Sequence, residues 1–99
     1  MYGLIAKLIS APDRREDLIA ILQESTSDMP GCLSYIIAKD LTDENTIWVT
    51  EVWDSEANHE ASLSLPVVKD AIGRAKPLVN GFSRIAVTNP VAGFEPPKD

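Results

Sequence analysis

Four apolar runs of strand length are spaced along the chain, and polar or turn-forming residues separate them. The runs are rich in β-branched and aromatic residues, which are typical of β-strands. They cover Tyr2–Ser10, Leu33–Lys39, Thr46–Trp53 and Phe82–Asn89. A polar turn, residues 40–45, joins the second and third runs, so we expect these two to pair as a β-hairpin.

The segment between the first two strands predicts a helix. Asp13 and Glu16 have the spacing of a capping box, in which two side chains satisfy backbone groups at a helix start. Apolar residues follow at helical spacing at Leu18, Ile21 and Leu22. We therefore expect a helix over residues 13–27.

The segment after the third strand predicts further helix. Ser55 is a candidate N-cap for a short helix over Glu56–Leu63. Ser64 is a second candidate cap, with Pro66 at the first turn of the helix that follows. An apolar stripe at helical spacing then continues until Pro77, so we expect this second stretch to end there.

This order of elements, β-α-β-β-α-β, predicts an α+β protein of the ferredoxin-like type. Right-handed crossovers would place the helices on one face of a four-stranded antiparallel sheet. Length predicts one domain over residues 1–99, because 99 residues suffice for a single core. Three prolines and a glycine in Pro90–Asp99 predict an extended C-terminal tail.

The predicted sheet is apolar on both sides, although the helices can cover only one of them. We expect Lys7, Glu51 and Arg84 on the open face, because a charge under the helices would cost several kcal/mol in desolvation. The same face then carries Ile5, Ile9, Ile47, Val49, Trp53 and Phe82, and the helix-facing set is Leu4, Leu8, Trp48, Val52 and Ile85. The alternative is that the charged residues lie at strand ends and contact water.

An apolar open face predicts a homodimer in which two sheets face each other. Such a face, with a few convergent ionisable groups, is typical of a small-molecule pocket. The dimer would enclose that pocket between its subunits.

Composition narrows the classes of partner and cofactor. A net charge of −6 argues against nucleic acid and against anionic membranes, and no apolar run reaches the length of a membrane span. The single cysteine, Cys32, cannot form an internal disulfide, so a reducing cytoplasm is the expected location. The sequence contains neither a Cys/His cluster nor a phosphate-binding glycine loop, so we expect no metal and no other cofactor.

The strand-to-helix junction around residues 51–59 gathers the residues best suited to chemistry. His59 is the only histidine and could accept a proton from a phenol or enol, or it could be an exposed or capping residue. Trp53 could line a pocket or simply pack. Glu51 could act as an acid or base, or pair with Lys7 or Arg84.

The same junction resembles the signature of the antibiotic biosynthesis monooxygenase domain. The resemblance is carried by Glu51-Val-Trp53-Asp-Ser55-Glu-Ala57-Asn-His59, followed by Leu63 and Pro66. It extends across nearly the whole chain, including the Pro-Gly before strand two and the Gly-Phe that opens strand four. It implies a dimeric α/β barrel of two ferredoxin-like units.

That resemblance implies a monooxygenase that oxidises a small aromatic hydroxy compound, such as a quinol or polyketide phenol, with molecular oxygen and no cofactor. His59 would be the base, Trp53 and Tyr35 would shape the cavity with Phe82, and Glu51 or Arg84 would orient the substrate.

The chain departs from the family pattern in two respects. Ser62 would border the substrate where many relatives carry a second histidine. The heme-degrading branch uses a late histidine and a strand-one asparagine, which this chain lacks. A ligand-binding dimer without catalysis, and an isomerase or lyase of the same barrel type, are therefore kept as alternatives.

Overall fold

The computed structural model describes residues 1–93 and has the predicted α+β, ferredoxin-like architecture. The elements are β1 (Tyr2–Ser10), α1 (Arg15–Glu24), β2 (Cys32–Lys39), β3 (Thr46–Trp53), α2 (Glu56–Ser62), α3 (Pro66–Ala75), a 3₁₀ helix (Lys76–Leu78) and β4 (Val79–Thr88). The prediction of four strands with helices between them is confirmed. The last six residues of the predicted tail, 94–99, lie outside the described part of the chain.

The four strands form one antiparallel sheet in the order β2-β3-β1-β4. The central pair, β1 and β3, sets the register: Leu4 lies opposite Glu51, and Leu8 lies opposite Ile47. Side chains that lie opposite each other in a sheet point to the same face. Strand β4 is an edge strand, and its pairing with β1 shifts between Ile5 and Ala6.

The helix starts agree with the sequence at α2 but not at α1. Ser55 caps α2, because its hydroxyl accepts a hydrogen bond from the Asn58 backbone N–H at 3.1 Å. The capping box predicted at Asp13 is wrong. Asp13 has a φ of 64°, in the left-handed region, and no side chain caps the helix at Arg14. Ser64 is not a cap either, since α3 begins after Leu65 with Pro66 in its first turn.

Arg15 connects the start of α1 to the hairpin. Its Nη1 donates to the carbonyl of Asp43 at 3.0 Å and to that of Thr46 at 3.2 Å, so it ties α1 to the β2–β3 turn. Within that turn, a hydrogen bond from Trp48 Nε1 holds the pKa of Asp40 well below its usual range.

One core cluster joins the sheet to α1 and to the end of α3. Its fully buried members are Leu18, Ile47, Val49, Ala75 and Leu78. Partly buried residues pack around it, among them Tyr35 and Ile37 of β2. These contacts fix the helix-covered side of the sheet as the side that carries Leu4, Leu8, Ile47 and Val49.

The predicted assignment of the two sheet faces is wrong for most of β3 and β4. Glu51, Trp53, Phe82 and Arg84 line a space beneath the helices, together with Leu4 and Leu8. Trp48 and Val52 alternate with Glu51 and Trp53 and so lie on the open face. Ile85, expected under the helices, is half exposed near the β4 irregularity. Lys7 lies on the open face as predicted, with its Nζ 5.7 Å from the centre of the Trp48 ring.

Two features spare Glu51 and Arg84 the desolvation cost expected of a charge beneath the helices. Glu51 borders a cavity and accepts a hydrogen bond from Trp53, so its carboxylate is not packed against apolar atoms alone. Arg84 lies on the edge strand, where its side chain remains exposed to water. The change of faces also corrects the location of the pocket. We expected it between two subunits, but the cavity lies within one chain, beneath the helices.

Candidate functional site

A cavity of about 520 Å³ lies between the sheet and the helices. That volume is within the range of pockets that hold small organic ligands. All seven residues that the sequence singled out border it: Tyr35, Glu51, Trp53, His59, Ser62, Phe82 and Arg84. The structure thus brings the candidates together, while the role of each stays a prediction.

The centre of the site follows directly from the β3–α2 junction. Because side chains alternate along a strand, Glu51 and Trp53 point to the same side of β3. The chain then turns at Ser55, whose cap starts α2 immediately after the strand. One turn later, His59 returns to contact the ring of Trp53. A short stretch of sequence therefore assembles a carboxylate, an indole and an imidazole.

The imidazole of His59 is buried among aromatic rings, with 6% of the residue exposed. Trp53 meets it edge-on at a centroid distance of 5.4 Å, and Tyr2 lies at 5.5 Å with an angle of 37° between the ring planes. The alternative interpretation of His59 as an exposed or capping residue therefore does not hold. Sequence reasoning missed Tyr2, which comes to the site only because β1 pairs with the end of β3.

Neither ring nitrogen of His59 makes a hydrogen bond within residues 1–93. Nε2 lies 3.9 Å from Glu51 Oε1, and Nδ1 lies 3.7 Å from Glu60 Oε2. Both distances exceed hydrogen-bond length, but both allow charge stabilisation if the ring is protonated. The ring is thus close to two carboxylates without being hydrogen-bonded to either.

Glu51 is held in place by the indole of Trp53, whose Nε1 donates to Oε1 at 2.9 Å. Only 13% of the Glu51 side chain is exposed. The predicted alternative of a pair with Lys7 or Arg84 is wrong, because Lys7 is on the other face and Arg84 makes no ion pair within the described chain. Glu51 therefore presents an oriented negative charge to the cavity.

Tyr35 supplies a neutral hydroxyl to the same wall. Burial raises the pKa of its phenol far above the ordinary value, and the negative charge of Glu51 raises it further. The group is therefore a hydrogen-bond donor across the physiological range. Ser62 is also buried, but its hydroxyl donates to the His59 carbonyl at 2.6 Å, so its proton is already used.

The cavity has an apolar interior and an exposed rim. Buried residues such as Leu4, Val49 and Ala71 form the interior. The rim carries exposed side chains from α3, the 3₁₀ helix and β4, including Ile72, Lys76, Phe82 and Arg84. Sequence reasoning missed Lys76, since its place at the rim depends on how α3 ends against β4. A ligand with an apolar body would enter from this side.

Within residues 1–93, no three His, Cys, Asp or Glu side chains are grouped as a metal site would require. In that same part of the chain, none of the helices has the length and apolar character needed to cross a membrane.

Fold and site together define a ferredoxin-like α+β domain with a small-molecule cavity beneath its helices. Residues 1–74 match the family model described as antibiotic biosynthesis monooxygenase. The chain therefore belongs to the antibiotic biosynthesis monooxygenase family, as the junction motif predicted.

Solved structures share this fold. A candidate antibiotic biosynthesis monooxygenase from Chloroflexus aurantiacus J-10-fl is 50% identical, with a TM-score of 0.87 over 95% of this chain and 96% of that one. A second candidate of that name, from Deinococcus radiodurans, is 24% identical, with a TM-score of 0.79 over 99% of this chain and 100% of that one. The second similarity supports the fold alone.

The chain also resembles protein sll1783 of Synechocystis sp. (strain ATCC 27184 / PCC 6803 / Kazusa), at 30% identity over 71 residues. The match covers 69% of this chain and 48% of that protein. The chain thus spans about half the length of the relative it matches.

Proposed function

We propose that this protein is a cofactor-independent monooxygenase that oxidises a small aromatic hydroxy compound, such as a quinol or polyketide phenol. The observation that carries the proposal is the buried imidazole of His59, which borders an apolar cavity and has no hydrogen-bond partner in the described chain. Family membership is consistent with this type of reaction.

In this proposal His59 takes the proton of the substrate hydroxyl, and the phenolate becomes electron-rich. Glu51, 3.9 Å from Nε2, stabilises the imidazolium that forms. Neutral Tyr35 donates a hydrogen bond that orients the substrate. The apolar walls exclude water while the phenolate reacts.

The reaction of the phenolate with oxygen then requires no cofactor. The phenolate gives one electron to O₂, and the resulting radical and superoxide combine at a ring carbon that carries hydrogen. The imidazolium returns its proton to the peroxide, and loss of that ring hydrogen with hydroxide releases water. One oxygen atom ends in the quinone product and the other in water.

Oxygen uptake with a panel of quinols and polyphenols tests this proposal. We expect His59→Ala and His59→Gln to reduce kcat by about 10²-fold or more, because neither side chain accepts a proton. Glu56→Gln, an exposed change on the same helix that does not border the cavity, should leave uptake unchanged. Absence of uptake with every compound, or full activity in the His59 variants, would contradict the proposal.

The second candidate function is ligand binding without catalysis. It is favoured by Ser62, which stands where many relatives carry a second histidine and whose hydroxyl is bound to the backbone. A co-purified aromatic ligand that native mass spectrometry finds unchanged after exposure to oxygen would support it. A product formed under nitrogen would instead indicate the isomerase or lyase alternative.

We also propose that the protein acts as a homodimer through the open sheet face. Apolar side chains on that face include Ile5, Ile9, Ile36 and Val52, and Ile36 is 56% exposed. Helices cover only the other face, so a second copy would remove this surface from water. The expected cytoplasmic location, inferred from the single Cys32, is part of the same proposal.

A further inference from the structure

Most basic side chains in residues 1–93 have a partner. Arg14 forms an ion pair with Asp17, and Arg74 pairs with Asp70 of its own helix and with Glu24 of α1. Lys39 pairs with Glu16, Arg15 binds backbone carbonyls, and Lys7 lies over Trp48. In this part of the chain, three basic side chains make no ion pair, side-chain hydrogen bond or ring contact: Lys69, Lys76 and Arg84.

Two of these three cations border the cavity. Lys76 opens the 3₁₀ helix, Arg84 lies on the edge strand β4, and both are exposed at the rim. Lys69 is equally exposed on α3 but does not border the cavity. In a chain of net charge −6, an entrance with two unpaired cations is a local region of positive potential that favours anions.

The interior has the opposite charge. Glu51 is largely buried there, fixed by Trp53 and close to His59. A negatively charged group would be repelled from this end of the cavity and attracted to the rim. The charge distribution therefore favours a ligand with a neutral hydroxyl at one end and an anionic group at the other.

We propose that the ligand of this site is an aromatic hydroxy compound that carries a carboxylate, held at the cavity entrance by Arg84 and Lys76. The planar guanidinium of Arg84 matches the two oxygens of a carboxylate, and Lys76 adds a point charge. The rings lie against the apolar interior, and the hydroxyl points towards His59. This proposal deepens the proposed function. The role of the carboxylated compound as a substrate rests on that function, but its binding does not.

Equilibrium binding tests the proposal independently of turnover. The probes are 6-hydroxy-2-naphthoate and its neutral analogue 6-hydroxy-2-naphthamide, which have the same rings and differ in charge at one end. Isothermal titration calorimetry near neutral pH should give the carboxylate about tenfold higher affinity than the amide for the wild-type protein. The preference should weaken between about 50 and 500 mM NaCl, because exposed charges are screened.

Variants identify the cations responsible. Arg84→Gln with Lys76→Gln should reduce the preference for the carboxylate to about one, with a larger loss of affinity for the carboxylate than for the amide, since only the carboxylate loses a charge pair. Both side chains are exposed and form no ion pair in residues 1–93. Lys69→Gln removes a comparable charge away from the cavity and should keep the preference. Circular dichroism checks that the variants fold as the wild type does.

Four outcomes would overturn the proposal. These are equal affinity of the wild type for the two probes, an unchanged preference in the Arg84/Lys76 variant, an equal loss in Lys69→Gln, and no binding of either probe at millimolar concentration. If the preference is found but no quinol is oxidised, the ligand class stands and the monooxygenase proposal fails. If neutral quinols are oxidised but the protein shows no preference for the carboxylate probe, the monooxygenase proposal stands and the ligand class fails.

Discussion

At the scale of single residues, the site gathers three polar groups with different surroundings. Glu51 is oriented by the Trp53 indole, His59 has no hydrogen-bond partner in the described chain, and the Tyr35 phenol keeps its proton because it is buried. A buried imidazole without a hydrogen bond is costly to a folded protein. The buried nitrogen without a partner in residues 1–93 is Nδ1, 3.7 Å from Glu60 Oε2, whereas Nε2 lies nearer Glu51, which borders the cavity.

The raised pKa of Tyr35 predicts how the fold responds to alkali. The folded state keeps a phenol proton that the unfolded chain loses above about pH 10, so the contribution of Tyr35 to stability is complete below that pH. As the pH rises further, we expect stability to fall. Tyrosinate absorbance should show one of the two tyrosines ionising only when the chain unfolds.

The control for this titration is Tyr35→Phe. In that variant the late ionisation step should be absent, and the free energy of unfolding should depend less on pH in the alkaline range. Reversible ionisation of both tyrosines near pH 10 with the fold intact would contradict the expectation.

Sequence predicted which residues meet at the site better than it predicted which face they occupy. Glu51, Trp53 and His59 are close in sequence, so strand alternation and one helical turn suffice to gather them. Alternation alone does not say which set the helices cover. That choice depends on the pairing of Leu4 with Glu51, a long-range register that no local pattern encodes.

At the scale of elements, the site depends on the contact between the loop before β2 and the start of α2. Gly31 has a φ of +85°, and its carbonyl accepts a hydrogen bond from the Asp54 backbone N–H at 2.9 Å. Asn58 donates to the Asp54 side chain at 2.7 Å, which closes the junction beside His59. A Cβ on Gly31 would lie 2.6 Å from Asn58 Nδ2 and 2.8 Å from Asp54 Oδ1.

Gly31→Ala should therefore destabilise the protein by about 1–3 kcal/mol, because the left-handed backbone and the close approach both disfavour a side chain. The matched control is Gly73→Ala in the middle of α3, where an added Cβ meets nothing within 4 Å. That change should stabilise the fold by about 0.5–1 kcal/mol, since alanine is the better helix former. Chemical denaturation measures both, and equal effects of the two substitutions would contradict this account of the junction.

At the scale of the whole molecule, the two faces of the sheet differ in what covers them. The helix-covered face builds the cavity from residues of one chain. The open face retains exposed apolar residues, with Lys7 and Trp48 stacked at its centre. Dimerisation and ligand binding should therefore be separable by mutation, which the pocket predicted between subunits would not have allowed.

A lysine on the open face tests this separation. We expect the wild-type protein to sediment as a dimer at micromolar concentration and Ile36→Lys to weaken dimerisation by about 10²-fold or more, because the interface would bury an unpaired charge. Leu41→Lys is the control, since Leu41 is fully exposed in the β2–β3 turn, away from the sheet surface. Both variants should keep wild-type affinity for an aromatic ligand. A wild-type protein that sediments as a monomer would contradict the dimer, and a loss of ligand affinity in Ile36→Lys alone would show that the cavity needs the second copy after all.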